Sequence, residues 1–253
     1  EYYNWHVPIT WIIAFVLEAV AYLYDYQYIV LSNERSANYG NTEWEWITIN
    51  HQYSKSLEFE EDLEAFVKKY ISSKVKYFSL LRWMYEVKIA KIFAKYKKYF
   101  SVFSSCNNNF KIIEDNKTTQ NRWCLDCPKC AFVYIILRPY LTNDKAIEVF
   151  SREMYEDPNQ EQVFRELLGI SGIKPFECVG TNEEVILSMK LALDRFQKEW
   201  KEIPFILQIF EKEILLKMSE DDFRILEEKL FKVYDEDIIP SEIKNKILTF
   251  SID

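Results

Sequence analysis

Glycine is scarce in this chain, and its scarcity excludes a good deal. Only four glycines occur among 253 residues, Gly40, Gly169, Gly172 and Gly180. None belongs to a cluster between a strand and a helix, the arrangement that lets backbone amides wrap a nucleotide's phosphates. These residues therefore carry no phosphate-cradling loop. Histidine is scarcer still, with His6 and His51 the only two, which leaves few side chains that titrate near neutral pH. Positive charge is not in surplus. A formal net charge of −8 and a pI near 5.1 argue against a nucleic-acid groove, which relies on clustered Lys and Arg. A long uncharged apolar run is missing too. The stretch from Ile9 to Tyr24 falls short of the roughly 20 residues of a membrane span and carries Glu18, so it reads as a buried helix. What the chain has in quantity is core material, 49% hydrophobic and 17% aromatic residues, enough for one large domain or two small ones.

Strand-like and helix-like segments alternate in the first half. Residues 10–24 are rich in Ile, Ala, Leu and Val and are preceded by Pro8. They predict a helix apolar nearly all round, as under a sheet. Residues 26–31 predict a short buried strand, 60–72 an acidic amphipathic helix, 75–80 a second strand and 84–99 a second amphipathic helix. Such alternation implies a parallel sheet, whose ligands bind beyond the C-terminal ends of its strands. The loop after Leu31, Ser32-Asn33-Glu34-Arg35-Ser36, would then face the ligand edge rather than the core. Arg35 can fork onto a carboxylate or phosphate. Glu34 can hold Mg²⁺ or a ribose hydroxyl. The plainer reading is a surface loop with incidental charges. A second polar cluster, residues 50–58, holds His51, which can move protons, and Lys55, which can contact an anion. Taken alone, a structural histidine and a solvated lysine are the default readings.

The second half reads as helical: 129–138, 144–150, 160–168 stopped by Gly169, a helix opened by the capping box Thr181 to Glu184, an apolar segment 204–218, and a helix opened by Ser219 to Asp222. Between helices lies Lys174-Pro-Phe-Glu-Cys-Val-Gly180, an extended loop of the kind that returns to active sites.

Four cysteines stand out. Cys106 precedes Cys124-Leu-Asp-Cys127-Pro-Lys-Cys130, two CxxC steps that share Cys127. Cys106, after the apolar run 100–103, is expected at the end of a strand. Four soft thiolates at this spacing predict a tetrahedral zinc site with no open position, hence a structural one. The alternatives are free buried thiols or a disulfide. Reduced clustered cysteines fit a cytoplasmic protein. Cys178 stands apart from the four, either as a reactive thiol or as a small buried side chain.

These segments also carry a resemblance. Ser104-Ser105-Cys106-Asn107 and Arg122-Trp123-Cys124 through Val133 are similar to the UDP-N-acetylmuramoyl-L-alanyl-L-glutamate epimerases, of the wider ATP-pyrophosphatase (PP-loop) group. So, in order, are His6-Val-Pro-Ile-Thr10, Ser32 to Ala37, Asn50 to Glu60 and Lys174 to Gly180. Together they span about residues 4–182. A more distant likeness is to deazaguanine synthases. The resemblance implies an α/β fold, a partial Rossmann-like (HUP/PP-loop) parallel sheet in residues 1–130 ending in the cysteine zinc site. Residues 131–253 would form a helical C-terminal domain. It implies a bacterial, cytoplasmic enzyme of peptidoglycan synthesis. Such an enzyme uses ATP and Mg²⁺ to invert the terminal L-glutamate of a UDP-MurNAc-dipeptide through an acyl-adenylate, with neither nucleic acid nor membrane as partner. It points to Asn33, Glu34, Arg35, Ser36, Tyr53, Ser54 and Glu58 as substrate or nucleotide contacts and to His51 and Lys55 as catalytic candidates. The family's Ser-Gly-Gly-Lys-Asp-Ser-like loop is absent, so the chain is expected to be the C-terminal part of a longer protein, inactive alone, the alternative being a degenerate homologue. The alternatives are another PP-loop adenylating enzyme and a non-catalytic zinc-stabilised fragment.

Overall fold

The computed structural model describes residues 9–40, 42–110, 122–199 and 202–248. His6 to Pro8, part of the resembling segment His6 to Thr10, lie outside them. The chain forms two compact units. One is Glu1–Met84 together with Val233–Asp253, and the other is Tyr85–Lys232. The border expected at 130/131 falls inside a helix of the second unit.

In the first unit, α1 (Ile9–Leu23) leads into β1 (Tyr28–Leu31), and α2 (Leu57–Tyr70) leads into β4 (Lys76–Ser79). β1 and β4 pair in parallel, with Ile29 opposite Tyr77 and Val30 opposite Phe78. Between them sits a hairpin that the strand and helix signals of the sequence do not predict. It consists of β2 (Thr42–Trp44) and β3 (Ile47–Ile49), joined by Glu45 and Trp46, both at positive φ (46° and 67°), as a two-residue primed turn requires. α2 begins earlier than expected because Ser56 caps it, its hydroxyl accepting from Phe59 N–H at 3.1 Å. Glu58 and Glu60 in its first turn and Lys68 and Lys69 in its last complement the helix dipole. The core of this unit is small: Ala14, Ala21, Ile29, Phe59, Leu63, Val67, Val75 and Tyr77. α1 departs from expectation. It packs by its small residues, burying Ala14, Glu18 and Ala21, and leaves most of its large apolar side chains exposed.

The second unit contains α3 (Glu86–Phe93), α4 (Pro128–Leu137), α5 (Asn143–Phe150), α6 (Glu161–Leu168), α7 (Asn182–Lys198), α8 (Phe205–Glu213) and α9 (Glu220–Phe231). α4 is its axis. Every residue from Lys129 to Leu137 is buried, because α3, α6 and α7 all pack against it. Pro128 opens α4 at a position where no amide is needed. Gly169, at φ 73°, closes α6 in the left-handed conformation. The capping boxes of α7 and α9 form as expected. α3 is shorter than the expected 84–99, giving way to a 3-10 turn at Lys97–Tyr99. No strand occurs at 100–103. Instead Phe93, Phe103, Trp123 and Phe150 form a chain of rings 4.8–5.1 Å apart, which holds the approach to Cys106 by packing rather than by a ladder. The architecture is thus α/β, mostly helical, with a small parallel sheet. Among the described residues no helix is long and apolar enough to cross a membrane.

Candidate functional site

Two sites can be built from the residues upward, one in each unit. In the second unit Cys106, Cys124, Cys127 and Cys130 are all buried, and their sulfur atoms lie within 4.8 Å of one another. Zn–S bonds of about 2.3 Å in a tetrahedron place sulfurs roughly 3.8 Å apart, and Cys124 Sγ and Cys130 Sγ are 3.8 Å apart. A disulfide needs about 2.05 Å, and all five cysteines are free. The local fold turns the sulfurs inward. Leu125 takes a positive φ of 60°, and Cys127 caps α4, its sulfur accepting from Cys130 N–H at 3.4 Å. Cys124 N–H donates to Cys106 Sγ, and Asp126 N–H to Cys124 Sγ, both at 3.4 Å. Such donors favour thiolates. The Cys127 thiol is held down at about 5 by its hydrogen bond with Cys130. Cys130 is pushed up by the same contact and by burial, and Cys124 is pushed up mainly by burial. The donor set, spacing and geometry all fit a four-coordinate soft ion.

The Lys174–Gly180 loop is fastened to this centre. Glu177 accepts from Lys129 N–H at 3.0 Å, and the Lys129 ammonium donates to the Cys178 carbonyl. Burial raises the Glu177 carboxyl, with the nearby Cys127 adding to the shift, and burial lowers Lys174. Cys178 is half-buried.

In the first unit the two polar loops meet at the C-terminal ends of β1 and β4, and the residue that joins them is Arg82. Its guanidinium is fully buried and pairs with Glu60 at 2.7 Å. It donates also to the Glu34 carbonyl at 2.7 Å, to Asn38 Oδ1 at 3.1 Å and to the Lys55 carbonyl at 2.5 Å. Glu60 in turn accepts from Asn33 at 3.3 Å and from the Ser79 hydroxyl. Asn50 ties the loops again, donating to the Ala37 carbonyl at 2.9 Å. The sequence reading missed Arg82, Glu60 and Ser79. The available signal was a lone arginine among apolar residues, Leu80-Leu81-Arg82-Trp83-Met84, directly after a strand.

The individual candidates fare unevenly. Asn33 and Glu34 are half-buried at the loop's start. Arg35 and Ser36 lie in a 3-10 turn and are buried, not turned outward as expected of a ligand-edge loop. Arg35 pairs with Glu236 at 2.5 Å and lies 3.7 Å from the centre of the Tyr234 ring, both in the returning C-terminal segment. Its removal would cost both of these contacts. His51, Ser54 and Lys55 are half-buried, while Tyr53 and Glu58 are exposed. The Tyr53 hydroxyl donates to Asp62 at 3.4 Å. Its pKa is raised by desolvation first and by the charges of Glu58 and Asp62 next. The loops thus bring the backbone carbonyls of Glu34 and Lys55 and the side chains of Asn33 and Asn38 together around one buried ion pair.

Comparison with known proteins follows the same two segments. The MurL N-terminal domain model matches residues 1–80, and the MurL C-terminal domain model matches residues 102–222. Three curated relatives share the name UDP-N-acetyl-alpha-D-muramoyl-L-alanyl-L-glutamate epimerase. The Micromonospora protein is 38% identical over 203 residues, 80% of this chain and 44% of its own length. The Salinispora tropica protein is 39% identical over 203 residues, 80% of this chain and 43% of its own length. The Xanthomonas oryzae pv. oryzae protein is 34% identical over 245 residues, 97% of this chain and 53% of its own length. The chain spans about half the length of these relatives. No solved structure matches it.

Proposed function

Because the chain belongs to the MurL epimerase family, we propose that it is part of an isomerase that inverts the terminal L-glutamate of UDP-MurNAc-L-Ala-L-Glu to D-glutamate for peptidoglycan synthesis. The observation that carries this reading is the ordered match of both MurL domains to one chain.

The chemistry explains why such an enzyme would use ATP and Mg²⁺. A proton on the carbon beside a carboxylate is very weakly acidic, since its removal places two negative charges together. Adenylation of the carboxylate removes one charge and lets the carbonyl delocalise the other. One group then takes the proton and another returns it on the opposite face. His51 and Lys55 are the proposed proton-moving residues. Asn33, Glu34, Tyr53, Ser54 and Glu58 are the proposed contacts, positioned by the Arg82–Glu60 pair, with Arg35 and Ser36 supporting the loop from beneath. Cys106, Cys124, Cys127 and Cys130 would hold a structural Zn²⁺, whose contribution is to fix the start of α4. The alternatives of another adenylating ligase or a bare scaffold draw on no particular observation in this structure.

The deciding experiment incubates the gene-length polypeptide with UDP-MurNAc-L-Ala-L-Glu, ATP and Mg²⁺ in D₂O. Appearance of D-glutamate with deuterium at its α-carbon, with AMP and pyrophosphate, is the expected result. Retention of the L-configuration and the α-proton under these conditions overturns the reading. This chain alone, having no phosphate-cradling loop, is expected to give none of these products.

A further inference from the structure

α1 is turned inside out. Its buried positions are Ala14, Glu18 and Ala21, whereas Ile12, Val16 and Leu23 are 49%, 55% and 75% exposed. A helix on the surface of a finished domain does the reverse, placing its large apolar stripe inward. β1 has a matching deficit. Among the described residues its one ladder partner is β4, and Val30 is 50% exposed, although strands of parallel sheets are ordinarily covered on both faces.

The order of elements indicates what would cover them. α2 leads into β4, and its residues Phe59, Leu63 and Val67 share one core with Ile29 and Tyr77 of the sheet. α1 leads into β1 in the same way, with Ala14 and Ala21 in that same core. It therefore stands where a crossover helix stands, and a crossover helix joins two parallel strands. The relatives supply a source for such an element, since this chain accounts for only 43–53% of their length.

We infer that the outer face of α1 and the edge of β1 that no described strand pairs form a docking seam for a further α/β segment of the gene-length polypeptide. Its strand pairs parallel to β1, and its apolar residues cover Ile12 and Val16 on the α1 side of the sheet and Val30 on the other. The partner is a strand-bearing apolar layer, neither a lipid surface nor a second copy. The inference rests on family length and packing, independently of the chemistry proposed above.

Hydroxyl-radical footprinting with mass spectrometry tests it on this chain and on the gene-length polypeptide. In this chain alone Trp11 and Tyr22, 43% and 62% exposed, should be labelled freely. In the gene-length polypeptide they should be protected to the level of buried Trp83, while exposed Tyr96 of the other unit is unchanged. Val16→Asp should leave the stability of this chain unaltered and lower that of the gene-length polypeptide. Equal labelling in the two proteins overturns the inference, as does a gene product with no further segment. Protection of Trp11 in this chain that rises with its concentration identifies a second copy as the occupant and also overturns it. So does protection that needs anionic phospholipid vesicles.

Discussion

The two units hold themselves together by different means. The unit around α4 has an extensive apolar core, running from Ala90 through Phe132 and Leu193 to Phe223, and four thiols gathered at one helix start. Among the described residues, the core of the unit around β1 and β4 comprises eight buried apolar residues, beside a buried ion pair that gathers two loops and the buried acid Glu18. Burial of apolar area drives folding at about 25 cal/mol per Å². The first arrangement therefore draws on its contacts together with the four-thiol centre, whereas the second depends on a few polar groups being satisfied. A polar network of that kind fixes loop positions sharply, which suits a site. Its weakness is that each member, once unpartnered, is costly.

The largest test of this contrast is removal of the metal centre. The purified chain should contain about one zinc, and Cys127→Ser should abolish it. Structural zinc contributes on the order of 10 kcal/mol to small domains, so chelation should collapse the helical circular-dichroism signal of a unit that otherwise looks self-sufficient. A zinc-free native chain with full helicity, or unchanged zinc in the variant, would show that the apolar core alone suffices.

Next in size is the polar unit's own anchor. Arg82→Met strands Glu60 in the interior and should lower stability in urea titration by about 3–5 kcal/mol, as for other broken buried pairs. Glu60→Leu in the same chain should restore much of that loss, because the remaining cost is an unpaired charge. A double variant no more stable than Arg82→Met would mean that the hydrogen bonds to Glu34, Asn38 and Lys55 dominate, and not the charge.

The smallest effect belongs to Glu18. It is 1% exposed, neither carboxylate oxygen has a hydrogen-bond partner, and burial raises its pKa from 4.5 to about 7. The folded chain therefore keeps a proton that the unfolded chain releases. The associated stability is fully present below pH 4.5 and is lost as pH rises through about 7. At about 1.4 kcal/mol per pKa unit, Glu18→Gln should be roughly 3 kcal/mol more stable than the native chain at pH 8 and nearly equal to it at pH 4. Parallel pH profiles for the two proteins would show that Glu18 finds a partner in solution.

Legibility divided along the same line between the units. Local signals carried the second unit. Thr181 and Glu184, Ser219 and Asp222, Gly169, and the CxxC steps each act over a few residues, so their consequences can be read along the chain, and the four sulfurs converge where the spacing implies. Cys106 was expected at a strand end because Phe100 to Phe103 is an apolar run. The rings instead pack on Trp123 and Phe150, and an apolar run alone does not distinguish a strand from a buried turn. In the first unit the parallel pair β1 and β4 was legible. The hairpin at 42–49 was not, because its turn is Glu45-Trp46 rather than an Asn-Gly pair.

By itself the sequence determined the helices, their caps, the cysteine centre and the family, because each rests on short-range spacing or on residue identity. Tertiary structure alone decided which charges are buried. Arg82 and Glu60 lie 22 residues apart, and Arg35 and Glu236 lie 201 apart, so no local pattern announces either pair. The same holds for α1. Its composition marks an apolar helix, but which face meets the sheet is set by how closely two backbones can approach. There Ala14 and Ala21 fit where Ile12 and Val16 do not.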